Sequence, residues 1–358
     1  MKDLFIMTHN MAGGGGERVI AQLANRVVDW GIACTIVTEY ACQSFYPLDG
    51  RVRLVPLLPG DACPSRCIPR AYLALRRLVR RERPDVVLAM PEKVNVWTVL
   101  FLLGSSVPVV VSERNDPRRH PESRVKRLLR RLLYPFARGF VFQTAGAAAC
   151  FPRGIRARAA ILPNPLDTAR LGPPWEGERE KRVVFVGRLE AQKNVPLLLR
   201  AFARFRAAHP DWTLSLYGDG SQRASLEALA RSLLPDGGAV FAGARQDVAA
   251  CIRRAGIFAL SSDFEGMPNA LIEAMALGLP CVATDCPSGG CAALIDDGKN
   301  GLLVPAGNEG ALSRAMARLA DDPALAAELG RAARRMADTL DDRRVAGEWR
   351  DYLAGCCR

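Results

Sequence analysis

Three features of the chain predict an α/β fold built twice, as two Rossmann-like domains. Short strand patterns rich in Val, Ile and Leu alternate with helical patterns along the 358 residues, as in parallel sheets covered on both faces. A segment rich in Pro, Gly and charge, Leu171-Gly-Pro-Pro-Trp-Glu-Gly-Glu-Arg-Glu-Lys181, breaks that alternation near the middle and reads as an interdomain linker. The charge splits at the same place. Residues 1–170 hold 26 Lys+Arg against 13 Asp+Glu, and 171–358 hold 23 against 24, so the net +12 belongs to the first half. Two domains suit this length, and 49% apolar residues can fill two cores. The predicted boundaries are 1–172 for the N-terminal domain and 178–340 for the C-terminal one, with a helix over 341–358 packing back on the first.

In the first half the predicted strands are 4–8, 34–38, 52–56, 86–89, 109–112, 139–143 and 160–162, and a helix over 17–30 follows the first of them. The start, MKDLFIMTHNMAGGGG, carries one positive charge and a short apolar run ending in glycines, which predicts a first strand rather than a secretory signal. The long uncharged run 95–111 is cut by Gly104, Ser105, Ser106 and Pro108 into a helix and a strand. A membrane span needs about 20 uninterrupted apolar residues, so none is predicted. In the second half strands are predicted over 182–186, 213–217, 239–242, 256–261 and 280–284, and helices over 196–208, 221–233 and 269–277. Open parallel sheets bind ligands beyond the carboxyl ends of their strands. Two such domains facing each other would form a cleft.

The motif with the most chemistry is Glu265-Gly-Met-Pro-Asn-Ala-Leu-Ile-Glu273. A buried-strand pattern runs into it, and a helix pattern runs out of it and stops at Gly278. Pro268 and Asn269 suit a helix start. Gly266 and Met267 therefore sit where backbone N–H groups point outward and the helix dipole favours an anion. The bracketing carboxylates can accept hydrogen bonds from sugar hydroxyls, so the arrangement suits a nucleotide sugar. A second strand-to-helix loop, Val186-Gly-Arg-Leu-Glu-Ala-Gln-Lys-Asn-Val-Pro196, offers Arg188 and Lys193, a guanidinium fork and a point charge, to a diphosphate. A third, Tyr217-Gly-Asp-Gly-Ser221, is either a nucleotide border or a plain turn. After the first strand, Gly13-Gly-Gly-Gly-Glu-Arg18 allows close backbone approach to a ligand. It is not a dinucleotide fingerprint, because the third glycine position is Arg18, although Glu39 stands near where a ribose-binding acid would be.

Together these pieces resemble the retaining GT-B glycosyltransferases of the large family that includes sucrose synthase and bacterial enzymes of polysaccharide and lipid-linked oligosaccharide assembly. The resemblance rests on the glycine loop with Glu17-Arg18, Gly187-Arg188 with Lys193, the two glutamates eight apart at 265 and 273, Asn164-Pro165, and Asn300-Gly-Leu-Leu-Val-Pro305. It implies GT-B architecture, with the acceptor on the N-terminal domain and the donor on the C-terminal one. By that resemblance Arg188, Lys193 and Glu265 are the catalytic residues. Donor contacts would come from Gly15, Gly16, Gly187, Arg188, Lys193, Gly218, Glu265, Gly266, Met267, Pro268 and Asn269, with Glu273 on the ribose. Ser112-Glu-Arg-Asn-Asp-Pro117 is similar to members that extend glycans with hexose or N-acetylhexosamine, which makes Glu113, Arg114, Asn115 and His120 acceptor-side candidates. Two stretches depart from the common pattern: Ala89-Met-Pro-Glu-Lys93 replaces a frequent histidine, and Cys286-Pro-Ser-Gly-Gly-Cys-Ala-Ala-Leu-Ile295 lacks the frequent Gly-Pro-x-Glu.

The expected activity is transfer of a sugar from a nucleotide diphospho-sugar, UDP rather than GDP, to a glycan hydroxyl with retention. The expected acceptor is linked to a polyprenyl diphosphate, in cell-surface polysaccharide or glycoconjugate synthesis. No cofactor or metal is expected, since the nucleotide sugar is a substrate and the chain has no Asp-x-Asp motif. The alternatives are an NAD(P)-dependent oxidoreductase, a nucleic-acid-binding protein and a non-catalytic sugar-binding relative. With 7% aromatic residues and no base-reading motif, no nucleic-acid partner is expected. The basic segments 66–83 and 118–138 suit an anionic membrane surface, and the expected location is cytoplasmic, peripheral on the inner face of the cytoplasmic membrane. Eleven cysteines without a signal sequence suit reduced thiols. Cys63-x3-Cys67 has no matching Cys/His pair for zinc, and Cys356-Cys357 is a candidate acylation site or an incidental terminus.

Overall fold

The computed structural model describes residues 1–58, 64–173, 175–245 and 247–357, with the side chains of 64–66 left out; Cys63 lies outside the described residues. Contacts divide the chain into two compact units, Met1–Pro165 with Asp342–Arg358, and Leu166–Asp341.

The first unit runs β1 (Asp3–Thr8), α1 (Gly15–Asp29), β2 (Ala33–Tyr40), β3 (Arg53–Leu58), α2 (Pro64–Glu82), β4 (Val86–Ala89), α3 (Glu92–Phe101), β5 (Val109–Ser112), α4 (Arg124–Leu133), β6 (Gly139–Phe142), α5 (Ala145–Ala149), α6 (Arg153–Arg156) and β7 (Ala159–Ile161). Among the described residues its strands form one sheet in the order β3-β2-β1-β4-β5-β6-β7, every pair parallel. Side chains alternate across a strand, and both faces are covered. Leu4, Ile6, Val86, Leu88, Val110 and Val141 face the layer of α1. Phe5, Met7, Val87, Ala89, Val111 and Phe140 face that of α2 and α3.

The second unit runs β8 (Glu180–Val186), α7 (Val195–Arg206), β9 (Thr213–Tyr217), α8 (Arg223–Leu233), β10 (Ala239–Gly243), α9 (Val248–Ile252), β11 (Ala255–Leu260), α10 (Asn269–Ala276), β12 (Cys281–Asp285), β13 (Leu302–Pro305), α11 (Glu309–Asp321), α12 (Pro323–Ala333) and α13 (Met336–Thr339). Its described strands form a second parallel sheet, β10-β9-β8-β11-β12-β13. The final helix, α14 (Asp342–Cys356), joins the first unit, where it packs on α1 with Trp349 fully buried.

Two details differ from the expectations above. β13 is an edge strand of four residues, too short for its periodicity to stand out. And α1 opens at Gly15 with Gly14 as its N-cap, so Gly15 and Gly16 form the first helical turn rather than the loop before it. Among the described residues no helix is long and apolar enough to cross a membrane, no group of three His, Cys, Asp or Glu is placed to hold a metal, and the cysteines are free thiols.

Candidate functional site

The strand order of each sheet reverses once, and a ligand crevice opens at such a switch, beyond the strands' carboxyl ends. In the second unit the switch lies between β8 and β11. β8 delivers Gly187, Arg188 and Lys193, and β11 delivers 261–268, so topology alone joins two motifs some 70 residues apart. A 3-10 turn at Ala191–Lys193 ends on Asn194, which is left-handed at φ +43°, a conformation Asn tolerates. Its side chain accepts from Leu197 N (3.3 Å), capping α7, and donates to Asp263 (2.8 Å). That turn aims Lys193 at Glu265, and their side chains form a buried ion pair. Glu265 Oε1 also accepts from Ser262 Oγ at 2.6 Å, and Gln192 Nε2 donates to Phe264 O at 2.9 Å.

Arg188, by contrast, is exposed. Gly266, Met267 and Pro268 are buried, Asn269 opens α10, and Glu273 is buried one turn further on. The positive end of the α10 dipole therefore lies at 266–269.

Neighbouring loops hold this geometry by close backbone packing. A Cβ on Gly218 would lie 1.9 Å from Gly187 O, and one on Gly220 2.5 Å from Leu189 O. The Tyr217–Ser221 glycines thus seat the Arg188 loop, which Ser221 also ties by donating to Glu190 (2.9 and 2.7 Å). A Cβ on Gly290 would meet Gly266 O at 2.2 Å, and Ser288 Oγ donates to Glu265 O. The segment 286–295, which departs from the family pattern, is therefore the support beneath Glu265 and Gly266. Sequence reasoning missed Gln192, Asn194, Ser262, Ser288 and Gly290. The first three had a signal, since each lies within three residues of a predicted functional side chain.

In the first unit Gly16 faces open space: a Cβ there would meet nothing within 4 Å. Of the acceptor-side candidates, Glu113 and Arg114 come together beyond β5. Glu113 is 1% exposed, accepts from Tyr134 OH, and lies 3.8 Å from Arg130. Burial pushes its carboxyl up to about 7; Arg130 opposes the shift and the Glu92 charge adds to it. Arg114 Nη2 donates to Asn164 Oδ1, which Gln143 also reaches at 2.7 Å. Its Nε and Nη1 are buried without a protein partner, and burial pulls its pKa down to about 9. Asn115 and His120 lie on the following loop, which Arg130 ties down by donating to His120 O (2.7 Å) and Pro117 O (2.8 Å). Arg130, grouped above with the basic surface, is turned inward instead. Glu92, which opens α3, was not foreseen as a neighbour of this cluster.

Comparison with known proteins agrees with this architecture. The family described as Glycosyltransferase Family 4 matches residues 13–170, and that described as Glycosyl transferases group 1 matches 180–322. An alpha-1,4-N-acetyl-D-galactosaminyltransferase of Campylobacter jejuni, named for a glycan on diNAcBac-PP-undecaprenol, is 27% identical over 99% of this chain and 98% of its own. Among solved structures, sucrose-phosphate synthase from Thermosynechococcus elongatus superposes with a TM-score of 0.85 at 19% identity, covering 99% of this chain and 100% of that one. The HepE protein of Anabaena, solved in complex with UDP-glucose, gives 0.83 at 17% identity with 99% of each chain covered. The oxidoreductase and nucleic-acid alternatives give way: with a family 4 first half and a group 1 second half, the chain belongs to the GT-B glycosyltransferases.

Proposed function

We propose that the second unit binds a nucleotide diphospho-sugar, with UDP favoured, and that a hexose or N-acetylhexosamine passes with retention to a hydroxyl of a lipid-linked glycan bound by the first unit. The observation that carries this is the Lys193–Glu265 pair beside the α10 N-terminus at one switch point, with Arg188 on the same loop as Lys193. Two cations and a helix dipole suit a diphosphate, and the buried carboxylates suit ribose and sugar hydroxyls. As the C1–phosphate bond breaks, the leaving oxygen gains charge that Arg188, Lys193 and the dipole stabilise by preorganisation. The acceptor oxygen bonds to C1 from the same face, and its proton passes to the departing phosphate. The names of similar proteins support the choice of substrates: one is solved with UDP-glucose, another is named for an undecaprenol-linked glycan.

The test is calorimetry with UDP. Glu273→Gln weakens UDP binding because a ribose contact is lost, whereas Glu265→Gln lowers transfer more than it lowers UDP affinity. Equal UDP affinity in wild type and Glu273→Gln overturns the ribose assignment. Thermal stabilisation across a panel of nucleotide sugars identifies the donor, because a ligand of the folded state raises stability with the logarithm of its concentration.

A second observation favours peripheral attachment to an anionic membrane, on the inner face of the cytoplasmic membrane where a polyprenyl-linked acceptor would be reached. On and just beyond α4, Val125, Leu128, Leu132 and Phe136 are 66, 56, 59 and 67% exposed, beside exposed Arg124 and Arg131. Spacings of three and four put the first three on one helical stripe. An apolar stripe flanked by arginines is the pattern of a helix lying in a lipid interface. The arginine-rich α2 is different: Leu75, Leu78 and Val79 pack in the core, and of the leucines beside its arginines Leu73 is exposed.

A further inference from the structure

In the first sheet, whose strand order reverses between β1 and β4, the neighbouring ends of β1 and β2 carry a polar network that the reading above leaves unused. β1 and β2 pair in parallel register up to Thr8↔Thr38, which puts His9 beside Glu39. Glu39 is buried, 7% exposed, and both its carboxylate oxygens are engaged: Oε1 accepts from the fully buried Tyr72 hydroxyl at 2.8 Å, and Oε2 meets His9 Nδ1. Burial beside Glu39 holds the Tyr72 phenol well above its usual pKa, so it donates. A carboxylate at Nδ1 selects, for an uncharged imidazole, the tautomer with the proton on Nδ1 and the Nε2 lone pair free to accept. Nε2 faces Tyr40 OH at 3.3 Å, long for such a bond, and Tyr40 OH in turn accepts from Asn10 Nδ2 at 2.8 Å.

The network thus has a buried end, Tyr72 and Glu39, and an accessible end. The His9 side chain is 26% exposed, and Tyr40 and Asn10 are partly exposed. Tyr72 comes from α2; the other members lie at the carboxyl ends of β1 and β2, just before the glycine-led start of α1. A network serving packing alone would gain nothing from a partly exposed imidazole held by a carboxylate, and burying a carboxylate carries a desolvation cost that an apolar residue avoids.

We propose that His9, oriented by Glu39, is a specificity-determining residue for the acceptor: its Nε2 and the Tyr40 hydroxyl together hold two neighbouring hydroxyls of the acceptor's terminal pyranose. Nε2 accepts from one hydroxyl, and Tyr40 OH, released from its long contact with Nε2, donates to the other. Glu39 is a positioning residue that holds Nδ1 and so turns Nε2 toward the acceptor. This rests on the first unit being the acceptor-binding unit.

The test uses the full chain with saturating UDP and three neutral probes: the methyl α-glycosides of N-acetylgalactosamine, galactose and glucose. The chain has only three histidines, His9, His120 and His209, so nitrogen NMR resolves each ring. At least one glycoside is expected to shift the His9 Nε2 resonance. Its binding should weaken about tenfold in His9→Phe and in Tyr40→Phe, the loss expected for a removed hydrogen bond, with UDP affinity unchanged. Tyr40→Phe leaves the buried Glu39–Tyr72 end intact, so it answers the question if His9→Phe fails to fold. Glycosides that leave His9 unshifted, or that bind Tyr40→Phe as tightly as wild type, overturn the proposal. Failure of UDP itself to bind is a separate result and counts against the donor reading alone.

Discussion

Arg188 and Lys193 flank one loop, yet their surroundings separate what each contributes. Arg188 is exposed, so Arg188→Ala should leave stability within about 0.5 kcal/mol of wild type. Lys193 is paired with Glu265 in the interior, their side chains 14% and 6% exposed. Lys193→Ala strands a buried carboxylate and should cost about 3–5 kcal/mol of stability. On the donor site proposed above, both should lower turnover on the order of a hundredfold or more, since each would remove a cation facing the leaving diphosphate. Chemical unfolding and steady-state kinetics on the pair check this, and near-wild-type turnover in both would sink the diphosphate assignment. Glu113 gives a second test. Its folded pKa, raised by burial to about 7, lies above its ordinary 4.5. The native state therefore holds the proton more tightly, and this contribution to stability is full below about pH 4.5 and declines as pH rises through 7. Relative to wild type, Glu113→Gln should gain on the order of 3 kcal/mol between pH 5 and pH 8. A pH-independent difference in urea unfolding would show that Glu113 does not titrate there.

At the scale of single elements, α4 is where pattern and packing part. Leu132 and Leu133 are neighbours of the same type, but Leu132 is 59% exposed and Leu133 7%. Replacing Leu128 and Leu132 with Glu should abolish co-sedimentation with anionic vesicles at low salt and leave stability nearly unchanged. Leu133→Ala should do the reverse, costing about 2–5 kcal/mol while vesicle binding persists. If the double variant still co-sediments, the exposed stripe is not the membrane contact. The sequence placed leucines and arginines together on this helix but could not say which leucines faced inward, because burial depends on what α3 and the turn at Tyr134–Phe136 cover. The central strands β4, β5, β6 and β11 were legible for the opposite reason: each is buried on both faces, so its apolar run is continuous and survives any arrangement of neighbours.

Over the whole molecule, the last helix belongs to the first unit, and Trp349 is fully buried there, with its ring nitrogen donating to Pro163 O at 3.4 Å. Trp349→Ala should cost the first unit about 3–5 kcal/mol. Hydrogen exchange should show lost protection in β1 and α1 peptides and none in β8 to β13. Equal loss in both units would mean that they unfold as one.

Local chemistry is what the sequence determined by itself. Strand-ending glycines, the Pro268–Asn269 helix start, the two cations at 188 and 193 and the glutamates at 265 and 273 are properties of short segments, because caps, turns and charge depend on residues within a few positions of one another. The tertiary structure alone decided which of these groups meet. Lys193 faces Glu265 because β8 lies beside β11 at a switch in strand order, and His9 faces Glu39 because β1 pairs with β2 in register. Gly218 and Gly290 are glycines because a neighbouring backbone occupies the space of a Cβ. Such contacts are set by sheet order and loop packing, and neither leaves a periodic mark along the chain.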